Sequence, residues 1–275
     1  MKTTIKHLPI ANRVINKVKL LRDAKANYYR RIVGYYPWKC GDMTFKCDTE
    51  HMEFWEKVNN GIWEPSTFNI YSRFLIKDST YCDIGAWIGP TVLYASVRSM
   101  KVICFEPDLV AYKYLLHNIN INQLHNVLPF NIALSDFDGT GRMSSFAQSL
   151  GDSASSLLNT DKAKESIEVL CLTWSNWHTI VKPGKIDFMK IDIEGGEFSL
   201  LPTMKDYLTQ EKPILYLSIH APYIEATKRA QQLQKILPIF DIYPKCFDED
   251  MQPIQGLELK SQKTFNSFRS FLFTM

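Results

Sequence analysis

The stretch Tyr81-Cys82-Asp83-Ile84-Gly85-Ala86-Trp87-Ile88-Gly89-Pro90 reads as a buried strand closing on an acid, then a glycine turn, then the first residues of a helix. Gly85 lets the chain turn without a Cβ in the way, and Gly89 permits close approach of a ligand or a strand to the helix. The spacing Asp-x-Gly-x-x-x-Gly lacks the third glycine of the dinucleotide fingerprint, and no Gly-Lys-Ser/Thr of a phosphate-binding loop accompanies it. A strand–turn–helix that opens on a carboxylate and has no phosphate cradle suits a cationic ligand carrying an ammonium group. S-adenosylmethionine (SAM) is a ligand of that kind. The bland alternative is an ordinary α/β connection that happens to use Asp and Gly.

Outward from this stretch the chain alternates strand and helix. Strands are expected over residues 80–84, 101–106, 126–131, 166–172, 185–191 and 213–219, with helices over 88–98, 109–122, 173–180, 197–208 and 224–236. The turn 136–141, rich in Asp and Gly, predicts a hairpin insertion over 133–145, and 151–156 reads as a loop. Two terminal strands, 239–243 and 267–273, have no helix between them. The expected fold is therefore α/β: a doubly wound, Rossmann-like sheet, mostly parallel, with a C-terminal antiparallel hairpin at one edge.

Upstream, Ile10, Val14, Ile15, Val18, Leu20 and Leu21 recur at helical spacing among basic residues, predicting an amphipathic helix within 10–32. A hairpin is expected over 38–50, anchored by Trp38 and Phe45. Aromatic-rich helices over 53–58 and 64–76 then lead into the glycine loop, well placed to cover a cofactor pocket. The expected division is residues 1–77 as a basic helix and cap region and 78–275 as a SAM-binding domain.

With 275 residues and 45% hydrophobic content the chain can bury one large core. Its net charge of +3 is unevenly spread. Residues 1–31 hold nine Lys/Arg against Asp23 alone, which leaves 23 basic and 28 acidic side chains in the rest. Charge thus argues against a nucleic-acid-binding body and leaves that option to the N-terminal segment, which also suits an anionic membrane or a partner enzyme. Six cysteines without a C-x-x-C pair point to a reducing compartment and no structural zinc. No apolar run reaches the ~18 residues of a membrane span, so the expected location is cytoplasmic, with the inner face of a membrane as a peripheral alternative.

In an open parallel sheet, ligands bind beyond the carboxyl ends of the strands. The polar residues at those ends are Asp83, Glu106, Asn131, Asp192 and His220. Apolar strands have no structural need for five such groups. Glu106 follows Gly85 by 21 residues, where an acid can accept hydrogen bonds from the two ribose hydroxyls of a nucleoside.

Together, Asp83-Ile-Gly85-Ala-Trp-Ile-Gly89, Phe105-Glu106-Pro107, Asn131-Ile-Ala-Leu-Ser-Asp136, Lys190-Ile-Asp192-Ile-Glu194-Gly195-Gly196-Glu197 and Leu217-Ser-Ile-His220 resemble the FkbM family of SAM-dependent methyltransferases, over residues 78–225. The resemblance implies a class I methyltransferase fold and methylation of hydroxyl groups on sugars or other natural products. It implies that Asp83, Gly85, Ala86 and Gly89 meet the methionine end of SAM, that Glu106 meets the ribose, and that Asp136 or neighbouring backbone meets the adenine, with Pro107 and Asn131 also among the cofactor-binding residues. Trp87 inside the glycine loop and Ser218 before His220 depart from the family pattern.

Methyl transfer from a sulfonium needs alignment of the acceptor oxygen and removal of its proton. His220, which titrates near neutrality when unperturbed, and Asp192 are the expected bases. Asp192 and Glu194, with Glu197 nearby, offer carboxylates to a divalent cation, though these acids equally suit the start of the following helix, and cation dependence is not favoured. The Asn/Asp-Pro-Pro-Tyr/Phe grip of amino-group methyltransferases is absent, which argues for an oxygen acceptor. The expected function is transfer of a methyl group from SAM to a hydroxyl of a sugar or glycan in polysaccharide or glycoconjugate assembly, with Trp55, Trp63, Trp174 and Trp177 as stacking surfaces. The alternatives are an RNA methyltransferase and a non-catalytic scaffold.

Overall fold

The computed structural model describes residues 17–19, 21–22, 24–147, 149–158, 165–255, 259 and 261–275. The chain divides into two compact units, Met1–Glu64 and Pro65–Met275.

In the first unit, strands β1 (Tyr36–Cys40) and β2 (Met43–Cys47) form the expected hairpin, and Trp38 faces Phe45 in register. Helix α1 (Met52–Asn59) adds Trp55, stacked 5.9 Å from Trp38. Buried Asp48 accepts from the His51 amide and from Trp55 Nε1, so one carboxylate ties the hairpin to the helix start. Of the expected basic helix, Ile10, Val14, Ile15 and Leu20 lie outside the described residues, while Val18 and Leu21 are exposed.

The second unit is built on a seven-stranded sheet in the order β12-β13-β11-β10-β3-β4-β5. Five neighbours run parallel: β5 (Val127–Phe130), β4 (Lys101–Phe105), β3 (Thr80–Ile84), β10 (Phe188–Ile191) and β11 (Ile214–Ile219). Every residue of β3 and β10 is buried, as in a parallel sheet covered on both faces, so their two charged residues, Asp83 and Lys190, are buried as well. The last strand, β13 (Arg269–Thr274), is antiparallel to both β11 and the edge strand β12 (Lys245–Asp248). The C-terminal pair is thus antiparallel as expected, with its second strand inserted inside the sheet.

Three expectations are corrected. Residues 239–242 belong to a 3-10 segment, Leu237–Ile242, Tyr243 caps it, and the strand begins at Lys245. Ile236, Ile239, Phe240 and Tyr243 are buried at i, i+3, i+4 and i+7, a helical period that the β-branched content masked. The segment 133–145 is not a hairpin. Strand β9 (Ile167–Thr173) inserts between β6 (Ala133–Ser135) and β7 (Gly139–Ser145), with Cys171 opposite both Ala133 and Gly139. Gly141 leaves room for it, since a Cβ there would lie 2.7 Å from Cys171 Sγ. Finally, helix α2 (Pro65–Phe74) covers a sheet face rather than the pocket. Tyr71 meets Tyr81 hydroxyl to hydroxyl at 2.5 Å, and Thr67 bonds Tyr216 at 3.0 Å.

Candidate active site

Hydrogen bonds beyond the strand ends bring three segments together. Gly85 and Ala86 both donate backbone N–H to Phe105 O, at 3.1 and 2.9 Å. The Asp192 amide donates to Ile84 O at 2.9 Å, and the Glu106 amide to Phe130 O at 3.0 Å. Gly85 (φ +91°) is forced to be glycine, since a Cβ would fall 1.9 Å from Asp192 O. At Gly89 the close neighbour is Leu115, a side chain of the helix Leu109–Ile121.

These segments wall a cavity whose lining includes Gly85, Trp87, Glu106, Pro107, Asp192 and Glu194. It holds about 80 Å³, well under the ~300 Å³ at which small-molecule pockets begin. The segment 151–158 closes it. Trp87 Nε1 donates to Gly151 O at 2.9 Å, buried Asp108 accepts from Gly151 N and Ser155 Oγ, and Ser156 Oγ donates to Glu194 O. Trp87, the bulky departure in the glycine turn, therefore serves as an anchor for the covering segment.

Glu106 accepts the Trp87 amide on one carboxylate oxygen and the Asp108 amide on the other, each at 2.8 Å. Burial pushes its carboxyl up to about 8, against those two amide bonds. Asn131 stands behind the wall, where its Nδ2 donates to Glu106 O and Pro107 O and fixes the turn. Asp136 is exposed and accepts from Ser135 Oγ, while Ser135 itself lies on the wall. Ala86 and Gly89 are behind the wall as well.

Asp83 is fully buried and does not reach the cavity. It accepts from Thr91 Oγ1 at 2.5 Å, and Lys190 Nζ lies 3.2 Å away. The same ammonium donates to Gly85 O at 3.1 Å and stands 3.2 Å from Asp192 Oδ2. Sequence reasoning assigns no role to Lys190. The signal was a lysine inside the four-residue apolar strand β10.

Asp192, Glu194 and His220 converge beside the cavity. His220 Nε2 is 3.5 Å from Asp192 Oδ1 and 3.3 Å from Glu194 Oε2, and Nδ1 is 3.5 Å from Glu197 Oε1. Fully buried Glu197 also accepts the His220 and Gly195 amides, so it fixes both the turn and the histidine. Burial works to raise the Asp192 carboxyl, but Lys190 and His220 outweigh it and hold Asp192 below its ordinary value. Burial pushes Glu194 up to about 7 despite the opposing pull of His220. His220 departs from the expectation of an unshifted histidine. Burial works to lower it, yet Glu197, Asp192 and Glu194 together push it up to about 9. His220 itself lies just behind the wall that Asp192 and Glu194 form.

Among solved structures, the chain is similar to the methyltransferase FkbM from Methylobacillus flagellatus KT, at 15% identity and TM-score 0.44, covering 81% of this chain and 54% of that one. It thus spans about half the length of that relative. An rRNA methylase from Streptococcus thermophilus gives 10% identity and TM-score 0.43 over 75% of this chain and 93% of that one. TYW2 from M. jannaschii, solved in complex with AdoMet, gives 12% and 0.42 over 86% and 83%. No curated protein matches the chain. The Methyltransferase FkbM domain matches residues 83–251, from the acid before the glycine turn to the loop after β12, which is more than half of the chain. With the glycine turn, Glu106 and the Asp192–Glu197 segment all inside that match, the chain belongs to the FkbM methyltransferase family.

Proposed function

We propose that this chain is a SAM-dependent O-methyltransferase acting on a hydroxyl of a sugar, glycan or comparable acceptor. The observation that carries this reading is the cavity at the carboxyl ends of β3, β4 and β10, with Glu106 on one side and Asp192 and Glu194 on the other. Glu106 takes the ribose hydroxyls. The backbone of Gly85 and the Asp192 side take the methionine end, leaving the sulfonium methyl facing Asp192, Glu194 and His220. Asp83 contributes indirectly, by fixing Lys190.

Methyl transfer is an in-line displacement: a bond forms from acceptor oxygen to methyl carbon as the bond from that carbon to sulfur breaks. The acceptor hydroxyl loses its proton to a neighbouring carboxylate, Asp192 or Glu194, with the His220 ring beside them. Alignment supplies most of the acceleration, and a positioned base adds about 10²–10⁴-fold.

Isothermal titration of the purified protein with SAM tests the reading, with Glu106→Ala as the comparison. Binding lost in that variant supports it, and a folded wild type that binds no SAM overturns it. Methylated-product screening with saccharide acceptors then tests the acceptor class.

Among the described residues no helix is long and apolar enough to cross a membrane. The charge of residues 1–31 suits contact with an anionic surface or a partner enzyme. Sedimentation with anionic vesicles at low and high salt checks that, and binding insensitive to salt excludes it.

A further inference from the structure

We infer that Asp192, Glu194 and His220 form a binding site for one divalent cation of the Mg²⁺/Mn²⁺ class, beside the methyl-accepting end of the cavity. The sequence offered carboxylates alone; the fold adds the imidazole. The Asp192, Glu194 and His220 ligand atoms lie within 4.8 Å of one another. The 3.3 and 3.5 Å separations around His220 Nε2 are a little wider than the about 3 Å between adjacent ligands of an octahedral ion with bonds of about 2.1 Å. Small side-chain movements close that difference.

Two further observations point the same way. The oxygens of Asp192 are divided: Oδ2 faces Lys190 and Oδ1 faces His220, so the lysine neutralises one side, and on the other a cation would take the place of the His220 Nε2 proton, which leaves to solvent. His220 is 8% exposed, and its Nδ1 faces Glu197 Oε1 at 3.5 Å. A carboxylate behind one ring nitrogen is the usual backing of an imidazole that ligates through the other. Glu197 is itself fixed by two amides, so this backing is rigid. Two carboxylate oxygens and one imidazole suit Mn²⁺ or Mg²⁺ with bound waters completing the shell.

Its chemical role rests on the proposed function. A cation there would take the acceptor oxygen as a ligand and lower the hydroxyl's pKa before methyl transfer. Lys190 stays on the far side of Asp192 and keeps that side chain oriented.

The test is titration of Mn²⁺ into the metal-stripped full chain, read from the electron paramagnetic resonance signal of free Mn²⁺, with a separate calorimetric titration of SAM. One bound ion is expected, with affinity reduced at least about tenfold in Glu194→Gln and in His220→Ala, and unchanged in the surface variant Glu225→Gln. Circular dichroism melts confirm that each variant is folded, and the near-isosteric Glu194→Gln keeps the test meaningful if His220→Ala unfolds. No Mn²⁺ binding by wild type, or equal binding by all variants, overturns the site. SAM binding without Mn²⁺ binding overturns the cation and leaves the methyltransferase reading standing. Mn²⁺ binding without SAM binding does the reverse.

Discussion

Lys190 and Asp83 face each other in register across β10 and β3, and their charged groups meet at 3.2 Å with side chains only 5% and 0% exposed. This pair sits directly under the glycine turn, because the same ammonium bonds Gly85 O and flanks Asp192. Breaking a buried pair by removing one partner leaves an uncompensated charge, at a cost of about 3–5 kcal/mol. Lys190→Met is expected to lose stability of that order in urea denaturation. Lys190→Met combined with Asp83→Asn should recover part of it, since Thr91 can still donate to the Asn oxygen. A double variant no more stable than Lys190→Met would show that the pair's charge is not what matters.

Glu106 gives stability a pH dependence of definite sign. Its ordinary carboxyl value of 4.5 rises to about 8 on folding, first because it is buried. The folded state therefore binds that proton more tightly than the unfolded state, and the associated stability is complete below about 4.5. It declines as pH rises and is lost by about 8. Thermal midpoints measured from pH 5 to 9 should fall across this window, and Glu106→Gln should flatten the slope. An equal slope in the variant would assign the effect to other groups.

What the sequence disclosed follows from what local patterns encode. Strands 80–84 and 213–219 are legible because a largely buried strand is mostly apolar, and Asp83, Glu106 and Asp192 stand out as acids at or just beyond the ends of such strands. Contact partners were not legible. Asp83 was expected on the cavity and is turned inward because Lys190, 107 residues later, takes its carboxylate. The role of Trp87 depends on Gly151, and the state of His220 on three carboxylates from another segment. The insertion of β9 between β6 and β7 is equally a long-range choice, visible only in why Gly141 must be small.

Gly85 carries a second structural prediction. Its φ of +91° costs an ordinary residue about 1–2 kcal/mol, and the added Cβ would overlap Asp192 O at 1.9 Å. Gly85→Ala must therefore push the ends of β3 and β10 apart. The expected result is a loss of more than about 2 kcal/mol, together with weakened SAM binding by calorimetry. Wild-type affinity in Gly85→Ala would mean that the β3–β10 approach does not shape the cofactor site.

Trp87→Phe keeps the ring but removes the Nε1 bond to Gly151 O. The direct cost is about 0.5–1.5 kcal/mol, and it should fall on the covering segment rather than on the core. Hydrogen exchange within 151–158 is expected to accelerate about tenfold while strand amides of β3 and β10 stay protected. Uniform acceleration throughout would instead make Trp87 a general core residue.

Glu197 acts on the candidate site through His220 and is a positioning residue. Among the groups that raise His220 to about 9 it is the largest. That elevation stabilises the fold fully below the ordinary 6.5, and the contribution is lost as pH rises through about 9. Glu197→Gln can still accept one amide hydrogen bond but removes the charge beside Nδ1. In the metal-stripped protein the His220 imidazole should then titrate at least about one unit lower, followed by its ring C–H resonances. SAM affinity should be unchanged and methyl-transfer turnover reduced, a split that simple loss of packing would not produce. A His220 titration unmoved in Glu197→Gln would show that Asp192 and Glu194 alone set its protonation.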